Sequence, residues 1–165
     1  MEKENDLKFE IHQISLNPRN PDKARELLFD LGLTDWFVDT ISSHGSVYGK
    51  DGCENRSVVY STYDADDCSL TRTPVDLEIM KSLSGENWMD RKSASVSHLG
   101  MYVTEEQLDR FRIYFNGKWI AVAQEIFTDY HSNTHINEKY RFHTVTFDTR
   151  DILGVDLMFI VRMEL

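Results

Sequence analysis

The chain has 165 residues, 41% apolar and 12% aromatic, and its net charge is −10. That length suffices for one well-buried domain or two small interlocked modules, while the scattered acidic residues and the lack of a Lys/Arg cluster exclude nucleic acid as the expected partner. No apolar run nears the roughly 20 residues of a membrane span, so no membrane association is expected.

Residues 7–16 read as a strand with Phe9, Ile11 and Ile14 as apolar members, and Asn17-Pro18 ends it. Asn20 can cap a helix that begins with Pro21. Ala24, Leu27, Leu28 and Leu31 then recur on one helical face, and Gly32 supplies the left-handed stop. Residues 36–48 and 57–63 are rich in β-branched and aromatic residues and predict a hairpin joined by a polar loop over 49–56. The Asp/Ser/Thr-rich stretch 65–74 reads as a surface excursion before a strand over 75–81.

A linker over 84–95 separates this first module, 7–83, from a second over 96–165. The second opens with a strand over 96–103. Thr104 and Gln107 have capping-box spacing, Leu108, Phe111 and Phe115 share a helical face, and Asn116-Gly117 ends the helix. Strands over 120–129, 140–149 and 155–164 follow, with 130–139 as a polar loop.

The two modules repeat one pattern. His12 and His98 each stand on an apolar strand, followed by a helix ending at glycine after 20 and 19 residues, and each module closes on an Asp-Leu step, Asp76-Leu77 and Asp156-Leu157. Each is therefore β-α-β-β-β, and pairing is required to bury the sheet face that one module would leave open. The expected class is α+β, a cupped mixed sheet with helices outside. Strand edges and apolar surface left by such a cup point to a homodimer.

The chain resembles the vicinal oxygen chelate superfamily, the glyoxalase, bleomycin-resistance and dioxygenase type of protein. The likeness rests on His12 through Asp30-Leu31-Gly32-Leu33, on Asp76-Leu77-Glu78-Ile79-Met80 with Gly85-Glu86-Asn87-Trp88, on His98-Leu99-Gly100-Met101-Tyr102-Val103, and on Phe147-Asp148-Thr149 to Gly154-Val155-Asp156-Leu157. It implies a divalent metal held by His12, Glu78 and His98, with the fourth position taken by Met158, a thioether poorly suited to hard or borderline ions. Two imidazoles and a carboxylate suit Zn, Ni, Mn or Fe, and such a metal would act on a small molecule with vicinal oxygens in a lyase, isomerase or dioxygenase reaction. Glu78 is then a ligand or the catalytic proton-transfer base.

Tyr102, Tyr140, Arg141, His143 and Met158 are the candidate substrate-pocket residues, with Trp36 and Trp88 as further aromatic candidates, and His131 and His135 belong to a loop that could cover the cavity. Met158 also motivates a second reading, a metal-free binding or sequestering protein, or an interaction module without catalysis. The first residues, Met-Glu-Lys-Glu-Asn-Asp, lack a signal peptide's apolar stretch, so the expected location is cytoplasmic, with Cys53 and Cys68 as reduced thiols.

Overall fold

The computed structural model describes residues 7–33, 36–61, 75–86 and 96–165. Its strands are β1 (Gln13–Leu16), β2 (Trp36–Val47), β3 (Lys50–Ser61), β4 (Asp76–Gly85), β5 (Val96–Tyr102), β6 (Val122–His131), β7 (Tyr140–Phe147) and β8 (Asp156–Glu164). The helices are α1 (Pro21–Asp30), α2 (Glu105–Gly117) and the short α3 (Thr134–Lys139) and α4 (Arg150–Leu153). The result is the α+β pairing of two β-α-β-β-β units that the resemblance implies.

The cup, however, is closed. The strands run β1-β4-β3-β2-β6-β7-β8-β5 around a barrel, with β1–β4 and β5–β8 parallel and the other neighbours antiparallel. Closure comes from β2 and β6, whose pairing runs from Ile41 opposite His131 to Val47 opposite Gln124. Every described strand thus has a neighbour on both sides, which removes the free edges, one of the grounds of the dimer expectation.

The β2–β3 hairpin explains part of this closure. Its expected eight-residue loop is strand, because Tyr48 and Gly49 both take positive φ, 48° and 75°, and make a two-residue turn of the type that matches strand twist. The strands therefore reach 12 residues each. Glu54 and Arg56, read as loop polar residues, instead form a buried ion pair, Arg56 Nε to Glu54 Oε2 at 3.6 Å.

Helix α2 follows the expected chemistry closely. The Thr104 hydroxyl accepts from the Gln107 amide at 3.2 Å and the Gln107 side chain accepts from the Thr104 amide at 2.9 Å, closing the capping box. Thr104→Ala should destabilise the protein by about 1 kcal/mol in urea unfolding, the usual cost of a lost N-cap. Leu108, Phe111 and Phe115 are buried against the outer faces of β5, β7 and β8, joining Met101, Val103, Val145, Phe147, Leu157, Phe159 and Val161.

Helix α1 has its expected cap, with Asn20 Oδ1 accepting from the Lys23 amide at 3.0 Å. Its apolar face is not buried: Leu27 and Leu31 are 60% and 72% exposed, and no described residue closes over them. Other boundaries differ too. β1 is confined to Gln13–Leu16, with Phe9 packing edge-on against Phe159 instead of pairing. β4 extends through Gly85, two residues into the expected linker. The expected loop 130–139 is the end of β6 followed by α3, which Asn133 caps by accepting from the Ile136 amide. Cys68, Trp88 and the whole 65–74 excursion lie outside the described residues, as does the Trp36 side chain.

Candidate functional site

A cavity of about 90 Å³ lies inside the barrel. Strand alternation decides which side chains reach it. On β1 these are Gln13 and Ser15, both buried, and Gln13 lines the cavity. On β4 they are Asp76, Glu78 and Met80, on β5 His98 and Tyr102, and on β8 Met158 and Ile160.

The strand registers correct the pairing of histidines read from the sequence. Gln13 lies opposite Asp76 in the parallel β1–β4 pair, and His98 lies opposite Asp156 in the parallel β5–β8 pair. The counterpart of His98 is therefore Gln13, one residue on from His12. His12 stands on the other side of the chain, where its Nδ1 accepts from the Tyr102 amide at 3.0 Å and its Nε2 faces Glu10 at 3.4 Å. It does not line the cavity. The same registers make Met158 the counterpart of Glu78, since they face Gly100 and Ser15 in matching places.

Gln13, Glu78 and His98 converge. His98 Nε2 is 3.2 Å from Gln13 Oε1 and 3.6 Å from Glu78 Oε2, while the Ser97 hydroxyl lies 3.2 Å from His98 Nδ1. All four side chains are buried. Glu78 Oε2 has no hydrogen-bond partner among the described residues. Burial pushes the Glu78 carboxyl up to about 7 against the opposing effects of Ser15 and Arg56. Asp76 is pushed up to about 8, first by burial and then by the Glu78 charge. Tyr60 is likewise held far above the usual phenol range by burial and by Glu78.

This donor set can be tested against a divalent ion. An ion roughly 2.1 Å from each donor sets neighbouring donors roughly 3.0 to 3.4 Å apart in octahedral or tetrahedral geometry; the His98–Gln13 separation of 3.2 Å lies within that range and the His98–Glu78 separation of 3.6 Å just above it. Among the described residues no three His, Cys, Asp or Glu side chains gather as a metal would need, because the third donor here is an amide oxygen. The residues present fit a three-donor site of one imidazole, one carboxylate and one amide. Ser97 is placed to accept from Nδ1–H of the imidazole, the tautomer in which Nε2 carries the lone pair that a cation would need.

Of the expected pocket residues, Tyr102 and Met158 line the cavity, whereas Tyr140, Arg141 and His143 do not. His143 faces outward on β7, stacked on Phe127 at 4.2 Å with its Nε2 2.9 Å from Glu125 Oε1. Arg141 donates to the Asn137 and Tyr140 carbonyls, and Arg162 sits over the Tyr140 ring. His135 is on α3 beside Lys139.

His131 is the residue most differently placed from its expected loop. It ends β6 and lines the cavity, with Asp39 of β2 beside it. Neither was legible as a pair, since they are 92 positions apart and meet only through the β2–β6 seam. Gln13 was within reach of the sequence, being one step along the strand from a histidine already singled out.

No family model matches the chain, and no curated protein matches it. Several solved structures are similar in chain path. A variant of Streptomyces coelicolor methylmalonyl-CoA epimerase in complex with 2-nitronate-propionyl-CoA shares 13% identity over 92% of this chain and 95% of its own, with a TM-score of 0.49. A hypothetical protein from Bacillus halodurans shares 12% identity over 94% and 96%, with a TM-score of 0.48. The methylmalonyl-CoA epimerase of Mycobacterium tuberculosis shares 13% over 95% and 90%, also with a TM-score of 0.48. At this identity and score no activity is carried across, and the function must be argued from the cavity.

Proposed function

We propose that the protein binds a small molecule inside the barrel and that Gln13, Glu78 and His98 hold a divalent cation on one wall of the cavity. The observation that supports this reading is the approach of two oxygen donors, Gln13 Oε1 and Glu78 Oε2, to His98 Nε2. Such a cation would supply Lewis-acid polarisation of a ligand oxygen. The chain's own residues do the rest. Ile41, Ile126, Ile136 and Ile160 supply much of the apolar lining, and the small volume selects a ligand of few heavy atoms.

Thermal melts of chelator-stripped protein with added Mn²⁺, Zn²⁺ or Ni²⁺ test this reading, because a ligand that binds only the folded state raises its apparent stability. A rise is expected in wild type and in His12→Ala, and its loss in His98→Ala and Glu78→Gln. An unchanged rise in His98→Ala would remove the site.

A specific observation also favours a metal-free mode. Both His98 nitrogens already have protein partners in Ser97 and Gln13, and Met158 stands where a second carboxylate would complete the set. In that mode the same cavity binds its ligand through hydrogen bonds, and ligand-induced stabilisation persists in chelator.

A further inference from the structure

The wall of the barrel opposite Gln13, Glu78 and His98 carries a second polar group. In the strand order β1 is four places from β6 in either direction around the barrel, so His131 faces the cavity from the far side. A local irregularity puts it there. Between Ser42–Tyr130 and Ser43–Thr128 the β2–β6 register shifts, leaving Asp129 as an extra residue. Residues three apart on a regular strand point to opposite faces, yet Thr128 and His131 both line the cavity. The bulge has turned His131 inward, a use of bulges that recurs beside functional sites.

Once inward, the ring is held in one orientation. Asp39 Oδ2 lies 2.8 Å from His131 Nδ1, and Asp39 Oδ1 accepts from the Ser132 hydroxyl and the Asn133 amide, each at 3.0 Å. The His131 backbone amide donates to Asn137 Oδ1 at 3.0 Å, and Phe142 packs edge-on against the ring at 5.5 Å. Burial alone would raise the Asp39 carboxyl, but His131, the Asn133 amide and Ser132 outweigh it and hold the group below the usual range. An ionised carboxylate can only accept, so Nδ1 carries the proton, and the tautomer this selects for the neutral ring has its lone pair on Nε2. That Nε2 is shut off from bulk water and has no hydrogen-bond partner among the described residues.

We propose that His131, oriented by Asp39, is the proton acceptor of the cavity and takes the hydroxyl of a small, largely apolar ligand. The assignment rests on the cavity being the ligand site, and it does not depend on the cation. The ligand O–H donates to Nε2. If the proton transfers fully, the ligand is left as an oxyanion and the ring as an imidazolium whose Nδ1–H still faces the Asp39 carboxylate, so charge and protons balance within the site. Ile41, Ile126, Ile136, Phe142 and Ile160 supply the apolar surround.

Phenol and toluene, near in size and differing in the hydroxyl, serve as probes, with binding followed by NMR and thermal shift on the full chain. Phenol is expected to bind at least tenfold more tightly than toluene, to shift the His131 Nε2 resonance, and to lose that preference in His131→Ala. Long-range ¹⁵N–¹H spectra of wild type should show the Nδ1–H tautomer, a readout that needs no variant to fold, and Asp39→Asn should weaken that tautomer preference. An Nε2–H tautomer in free wild type, equal binding of the two probes, or a phenol preference surviving in His131→Ala would each overturn the assignment alone. Failure of both probes to bind would overturn the cavity as the ligand site and this assignment with it.

Discussion

Phe159→Ala is expected to lower the unfolding free energy by about 3 to 5 kcal/mol, the range for truncating a buried aromatic residue in a core that cannot collapse around the gap. Phe159 is fully buried on the outer face of β8. Its ring centroid lies 4.3 Å from Phe111, 5.7 Å from Phe147 and from Phe9, and 6.0 Å from Phe115. One side chain therefore ties α2, β7 and the chain before β1 to the barrel wall. For a chain of this size the loss corresponds to a fall in Tm of roughly 6 to 20 °C. Ile113→Ala on the same helix is the control, since Ile113 is 75% exposed and its loss should stay within about 0.5 kcal/mol. A cost below about 1 kcal/mol for Phe159→Ala in urea unfolding would contradict this account of the core.

The contrast between Phe159 and its neighbours explains what the sequence could reveal. The apolar run Leu157–Val161 marks a strand within 155–164, and Leu108, Phe111 and Phe115 mark the helix face that covers it, so the second module was readable almost element by element. The rule that apolar residues face inward failed for the barrel interior. Here the outer face of the second module is the apolar one, packed under α2, while the inner face of the barrel carries Gln13, Asp76 and Glu78 from the first module and His98 from the second. The sequence picks out His12 because histidine is a conspicuous ligand type, but the neighbouring glutamine has the inward parity. Glu54 and Arg56 were misjudged for the same reason: polar residues on a strand that borders a cavity resemble a loop. Asp39 and His131 needed more than parity. Their meeting depends on a bulge and on the β2–β6 pairing, and neither leaves a local signature.

That pairing makes Gly45→Ala the second large effect. Gly45 lies on β2 opposite Ile126, and a Cβ there would stand 2.1 Å from the Glu125 carbonyl oxygen and 2.8 Å from the Ile126 Cα. Both obstacles are backbone, so no side-chain rotation relieves them, and the strands must separate at the seam that closes the barrel. A cost of about 3 kcal/mol or more is expected, at the upper end for overpacking because the ladder itself is displaced. Hydrogen exchange should show the loss of protection concentrated in 41–47 and 124–131, with β7, β8 and β5 retained. Gly117→Ala provides the comparison, since nothing lies within 4 Å of its added Cβ and the substitution should leave stability nearly unchanged. The seam also joins Asp39 to His131, so Gly45→Ala should abolish the phenol preference before it abolishes a metal response carried by β1, β4 and β5. Uniform loss of protection around the barrel would instead mean that the β2–β6 seam and the opposite wall open as one cooperative unit.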